Sequence, residues 1–222
     1  MTKVFAVRIG EKYGPEYEEY IDSLIPNVTW IHEPIRYDVK FQWNKLYPMS
    51  LDLDEPVVVI DIDMVFMNAY MDLIEYPIER GQFIGMHNWW ATGGCPLQGG
   101  FQKYYPKDCR YIYDKFMRDP SYWQRYYIEK KETSGLVNGE QNFVYESVNE
   151  RLELKYLPDQ WCTKWKADPQ KEWVVNMNAN YPGDWLYLGE EFNPEIRVLH
   201  FLGREQVPEQ VRQPKWEWLL PV

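Results

Sequence analysis

The chain has 222 residues, of which 45% are hydrophobic and 26% charged, and carries a net charge of −10. That length supports one domain with a sizeable core. The acidic balance argues against sequence-independent nucleic-acid binding, which depends on neutralising phosphates, and against an anionic membrane surface.

No apolar run approaches the roughly 20 residues of a membrane span. Cys95, Cys109 and Cys162 are too few for a disulfide framework and lack the Cys-x-x-Cys spacing of a zinc site. The opening Met1-Thr2-Lys3-Val4-Phe5-Ala6-Val7 lacks a signal-peptide pattern, so a reduced, cytoplasmic protein is expected. Aromatic residues make up 17% of the chain, with 11 Trp and 18 Tyr. Such rings fill cores, and they also stack on bases and sugars.

Along the chain, Lys3 to Ile9 alternates and is rich in β-formers, which predicts a first strand. After a Gly10–Gly14 loop, Pro15 to Ile25 reads as a helix, with Pro in its first turn, acids near its positive end and Pro26 to stop it. Val28 to His32 is a short strand, and Val39 to Tyr47 a helix ended by Pro48. Val57 to Asp61 then forms a strand, apolar enough to be buried on both faces. This strand–helix alternation implies parallel pairing through right-handed crossovers, as in a nucleotide-binding half-sheet.

Downstream, Phe83 to His87 and Gln98 to Lys103 read as strands around a loop containing Gly93, Gly94 and Pro96. Asp108 to Met117 and Tyr122 to Lys131 read as helices, and Gly139-Glu140-Gln141 opens another that runs to Val148. Leu152 to Leu157 and Ile196 to Phe201 are late strands, with Ala167 to Asn193 loop-like between them. No repeat or linker divides the chain, so residues 1–222 are expected to form one domain.

Chemistry concentrates where the third strand meets Asp61-Ile62-Asp63. Ligands of open α/β sheets bind at carboxyl ends of strands. Two carboxylates there are costly unless a cation faces them, and a divalent metal carrying a phosphate takes carboxylate oxygens well. In extended chain, residues i and i+2 share a face, so Asp61 and Asp63 can address one ion. His200 closes a later strand, and imidazole beside carboxylates suits Mn²⁺ better than Ca²⁺. The alternative for a lone histidine is a core side chain bonded to a backbone carbonyl.

Gly203 would let the backbone approach a phosphate, and Arg204 could add charge. Gly99-Gly100 permits either an ordinary hairpin or close approach of backbone to a ligand. Glu140 and Gln141 read as a normal first helical turn or as groups facing a reacting sugar.

Taken in order, Val-Arg-Ile-Gly on the first strand, the apolar strand into Asp-Ile-Asp, Gly-Gly-Phe, Gly-Glu-Gln and the late His-Phe-Leu-Gly resemble a GT-A-fold glycosyltransferase. The small virus-encoded members and the galactosyltransferase- and glycogenin-like types come nearest. The resemblance spans roughly Lys3 to Arg204. It implies an α/β, GT-A-type nucleotide-binding fold with a mixed, mostly parallel central sheet flanked by helices. It implies Mn²⁺- or Mg²⁺-dependent transfer from a nucleoside-diphosphate sugar, with UDP the expected nucleotide, to a carbohydrate or glycoprotein acceptor.

On this resemblance, Asp61 meets ribose or metal, while Asp63 and His200 ligate the metal. Arg8 and Tyr13 cradle the base, Lys45 faces the donor, and Gly99 and Gly100 lie beside it. Gly203 and Arg204 lie by the diphosphate, although Glu205-Gln206 stands where the family carries Lys-Pro. Glu140 and Gln141 fall near the donor sugar. The resemblance implies a retaining outcome, with Glu140 or Gln141 near the anomeric carbon; an inverting enzyme would instead take Asp184 or Glu140 as base. Trp89, Trp90 and Trp185 could stack on acceptor sugars.

Two other readings share some of these letters. Asp61-Ile62-Asp63-Met64-Val65 also fits the nucleophile motif of haloacid-dehalogenase-like phosphatases, with Asp61 attacked by phosphate and Asp63 as acid. That motif belongs on a first strand, whereas two strands precede it here. A non-catalytic aromatic sugar-binding module is the third reading, and the strand–helix alternation counts against it.

Overall fold

The computed structural model describes residues 2–67, 69–88, 94–133, 139–162 and 195–200, with the backbone of 163–164, 187–188 and 191–192. The chain begins with β1 (Lys3–Val7), α1 (Pro15–Leu24) and β2 (Thr29–Ile31). A 3₁₀ helix (Phe41–Ser50) leads to β3 (Val57–Ile60), β4 (Met64–Phe66) and α2 (Met71–Glu75). Next come β5 (Gln82–His87), β6 (Leu97–Tyr104), α3 (Pro106–Arg118), α4 (Pro120–Glu129), α5 (Glu140–Arg151) and β7 (Glu153–Tyr156). The later strands are β8 (Cys162–Lys164), β9 (Tyr187–Leu188), β10 (Glu191–Phe192) and β11 (Val198–His200).

Six strands form the central sheet in the order β2-β1-β3-β6-β5-β7. Strand β3 lies inside it, parallel to β1 and antiparallel to β6. Its four residues are fully buried because both faces are covered. Val58 and Ile60 point into one apolar layer with Val4, Ala6 and Ile21, while Val57 and Val59 point into the other with Phe5, Trp43 and Phe116. The pairings make β6 the one strand of this sheet that runs against the rest. The sheet is thus mixed and mostly parallel, as expected.

Proline sets the helix starts. Pro15, Pro106 and Pro120 each occupy the first turn of their helix, where a missing N–H costs nothing. Asp119 ends α3 and caps α4, its side chain accepting from Tyr122 N at 2.9 Å.

The helix expected over Val39 to Tyr47 differs in type. It is a 3₁₀ helix that runs through Pro48 to Ser50. Its apolar positions explain this: Trp43, Leu46 and Met49 recur every three residues and are all fully buried, which matches three residues per turn and not 3.6. Three residues sit too close to β3 to read as separate strand in the sequence, yet β4 pairs with β11, and β11 pairs in turn with β8. Within the stretch expected to be loop, β9 and β10 pair antiparallel. Among the described residues no helix is long and apolar enough to cross a membrane.

Lys103, on β6, is buried and donates to Ile74 O at 2.7 Å and Tyr76 O at 2.6 Å, at the end of α2. Burial pulls its pKa down from 10.5 to about 8, with Glu75 opposing. Between those values the unfolded chain binds the proton and the native chain does not, so native stability rises with pH through that window. Urea unfolding of the native chain and Lys103→Met at pH 7.5 to 10 should therefore show their stability difference moving in favour of the native chain, by up to about 3 kcal/mol across the full window. A difference independent of pH would show that Lys103 is not destabilised by its burial.

Candidate active site

Strand β3 ends at Ile60, but its ladder continues one step, with Asp61 N donating to Gly100 O at 2.8 Å. The backbone then bends, Ile62 turns into the core, and β4 starts after Asp63. Asp61 and Asp63 therefore do not lie in one extended strand. They converge through a different route: β4 pairs with β11 in a register that sets Met64 opposite His200. His200 Nε2 lies 3.4 Å from Asp61 Oδ2 and 3.5 Å from Asp63 Oδ1. One ligand atom from each of the three residues falls within 4.8 Å of the others. Two carboxylates and an imidazole, Asp63 and His200 nearly fully buried, form a donor set fitted to a divalent cation.

Lys45 stands behind this cluster. Its ammonium is buried and contacts Asp61 Oδ1 at 3.0 Å, Gly99 O at 2.9 Å and Glu140 Oε2 at 3.2 Å. Glu140 opens α5, and its other oxygen accepts from Gln102 Nε2 at 2.9 Å. Burial would raise the Asp61 carboxyl, but the Lys45 charge and the His200 contact outweigh it and hold it at about 2. Burial would lower Lys45, and the two facing carboxylates raise it instead. For Glu140 burial prevails, and its pKa is raised despite Lys45.

The paired glycines are a spatial requirement. A Cβ at Gly99 would sit 3.1 Å from Glu140 Oε2 and 3.2 Å from Lys45 Nζ. At Gly100 it would sit 2.8 Å from His200 Cδ2 and 2.7 Å from Gln98 Oε1. Gln98 contacts His200 Nε2 at 3.3 Å, and Gln141 Oε1 accepts from Gly99 N at 3.4 Å. Tyr13 donates to Asp63 Oδ2 at 3.3 Å, and burial together with that carboxylate raises its hydroxyl.

These groups line one cavity of about 510 Å³, within the size range of small-molecule sites. Tyr13, Lys45, Asp61, Asp63, Gly99, Glu140, Gln141 and His200 all border it. Gly100 lies against His200. Arg8 does not border it: its guanidinium pairs with Glu18, which also meets His32 at 2.6 Å, and it reaches the Tyr13 carbonyl at 3.4 Å. Its place is to hold the loop that carries Tyr13. Asp184, Gly203 and Arg204, with Trp89, Trp90 and Trp185, lie outside the described residues. Gln42, Gln98 and Gln102 are site residues that the sequence did not single out. The signal in Gln98 and Gln102 was two amides on a strand that is buried throughout, where polar groups need partners.

No family model and no curated protein matches the sequence. Solved structures do match. The glycosyltransferase GlyE of Streptococcus pneumoniae TIGR4 superposes with a TM-score of 0.59 at 12% identity over 99% of this chain. A glycosyltransferase involved in glycosylation of the major capsid of PBCV-1 gives 0.51 at 13% identity, covering 94% of this chain and 96% of that one. The galactosyltransferase LgtC, in complex with donor and acceptor sugar analogs, gives 0.50 at 10% identity, covering 99% of this chain and all of LgtC. The chain has the GT-A glycosyltransferase fold. It spans 63% of the GlyE chain.

Removing Lys45 would leave Asp61 and Glu140 facing each other without a cation. Lys45→Met should therefore cost about 3–5 kcal/mol of stability. Adding Glu140→Gln should recover part of that loss. A double-mutant cycle by urea unfolding checks this, and strictly additive losses would show that the two side chains do not depend on each other.

Proposed function

We propose that this chain is a metal-dependent glycosyltransferase that moves a sugar from a nucleoside-diphosphate sugar, with UDP as nucleotide, to a hydroxyl of a carbohydrate or glycoprotein acceptor. The observation that carries the reading is the convergence of Asp61, Asp63 and His200 beside a 510 Å³ cavity on a GT-A sheet. LgtC, which shares the fold, was crystallised with donor and acceptor sugar analogs, and this supports a site for two sugars here. Neither a phosphatase nor a sugar-binding module gains support from these neighbours.

In this reading Asp63 and His200 hold Mn²⁺ or Mg²⁺, and Asp61 holds the ion or the ribose. The bound ion would supply Lewis-acid neutralisation of the leaving diphosphate. The chain's own residues do the rest. Lys45 fixes Asp61 in its ionised form and orients it. Tyr13 walls the base end and steadies Asp63. Gln141, which borders the cavity at the start of α5, would face the donor sugar if the outcome is retaining. Glu140, with both oxygens engaged by Lys45 and Gln102, acts by holding this arrangement together. Gly203 and Arg204 would serve the diphosphate, all within a single catalytic domain of residues 1–222, and Asp184 would act as base only in an inverting enzyme.

Calorimetry of UDP binding tests the reading. UDP should bind in the presence of Mn²⁺ and much more weakly in its absence. Asp63→Ala should abolish the metal-dependent part while circular dichroism stays native, and His200→Ala should weaken Mn²⁺ affinity by about 10–100-fold. Undiminished Mn²⁺-dependent binding in Asp63→Ala would sink the proposal.

A further inference from the structure

Lys12 lies on the Gly10–Gly14 loop after β1 and borders the same cavity as Asp61, Asp63 and His200. The backbone of this loop is anchored. Arg8 pairs with Glu18 and reaches the Tyr13 carbonyl at 3.4 Å, and the Tyr13 hydroxyl donates to Asp63 Oδ2 at 3.3 Å. The Lys12 ammonium sits over the Tyr13 ring, 4.7 Å from its centroid. One ring thus meets the ammonium at its face and the candidate metal ligand Asp63 through its hydroxyl.

Two lysines border the cavity, and they are held differently. Lys45 is buried and bonded to Asp61, Gly99 O and Glu140, so its charge is already taken. Lys12 is exposed, and among the described residues no carboxylate lies within ion-pair distance of its ammonium. An ammonium over a ring near solvent is held weakly, and its four-carbon stem is flexible. This is a cation that a ligand can take.

The charge around the cavity says which ligand. Asp61, Asp63 and Glu140 outnumber Lys45, and a divalent ion would bring the group near neutrality. The diphosphate of a sugar nucleotide then arrives with its own negative charge, at a chain whose net charge is −10. Arg204, proposed above for that diphosphate, offsets only part of it. A second cation beside the cavity is the electrostatic complement that remains, and Lys12 supplies it.

We propose that Lys12 is a diphosphate-binding residue, its ammonium leaving the Tyr13 ring to pair with a phosphate oxygen of the sugar nucleotide. The inference rests on the glycosyltransferase reading and deepens it. The anion is held from two sides, by the metal cluster and by the loop after β1. Because the ring contact given up is weak and the phosphate contact is charge-assisted, the exchange favours the bound state.

Calorimetry with Mn²⁺ tests this, with UDP and inorganic pyrophosphate as probes. Pyrophosphate has no base or ribose, so it reports on the anion alone. Lys12→Met, which keeps a side chain over Tyr13 without the charge, should weaken both about tenfold. That loss should shrink as ionic strength rises. Lys12→Arg should keep both affinities near the native value. Mn²⁺ affinity in the absence of either probe should be unchanged in Lys12→Met. Unchanged affinity for both probes in that variant overturns the inference alone. So does a loss for UDP with none for pyrophosphate, which would place Lys12 at the nucleoside. A fall in Mn²⁺ affinity without either probe also overturns it, since the residue would then be structural. Failure of the native chain to bind UDP with Mn²⁺ overturns the glycosyltransferase reading, and the inference with it.

Discussion

A single ammonium buried among carboxylates is the constraint on which the site depends. Lys45 joins four pieces of chain that are remote in sequence: the 3₁₀ helix that carries it, the end of β3 at Asp61, the β6 backbone at Gly99, and the first residue of α5 at Glu140. Each charge would be expensive to bury alone, and together they are tolerable because the opposite charges lie within about 3 Å. The arrangement is not neutral. One lysine faces two carboxylates, and Asp63 adds a third beside His200. That surplus of negative charge in a poorly solvated corner is what makes a divalent cation the natural complement.

The antiparallel placing of β6 explains how the site is assembled from so few residues. A parallel strand beside β3 would have presented its other end at Asp61. Because β6 runs against β3, Gly99 and Gly100 arrive beside Asp61 at the start of the strand, and Gln102 follows inside to meet Glu140. The absence of side chains at both glycines is what lets His200 and Lys45 close in from opposite sides.

Much of this was legible in the sequence, and the limits follow from physics. The Val57–Ile60 run announced a strand buried on both faces, and the carboxylates behind it announced a cation site, because both signals are local. The convergence of Asp61, Asp63 and His200 was expected from an extended Asp-x-Asp, whereas it arises from the β4–β11 pairing. Strand β4, at three residues, and α2, at five, are too short to show a period. The resemblance set Arg8 beside the base, and the sequence carried no sign of its ion pair. Only the fold brings Glu18 of α1 against it. Lys45 was named in the sequence only through the resemblance, and its pairing with Glu140 spans nearly a hundred residues and leaves no local trace. Gln42 carried no signal at all, since its place on the cavity wall is a property of three-dimensional surroundings.

The helix type at Phe41–Ser50 has a mechanical consequence. Three residues per turn return Lys45 to the angle of Gln42, whereas an α-helix would leave it about 60° short. The same count keeps Trp43, Leu46 and Met49 in line on the other stripe. Rotating the polar stripe therefore means unscrewing the apolar one, so the core serves as the key that fixes the angular setting of the cavity wall. A ligand pressing on Gln42 or Lys45 meets the torsional stiffness of the packed interior, and the wall holds its shape without a rigid loop to brace it.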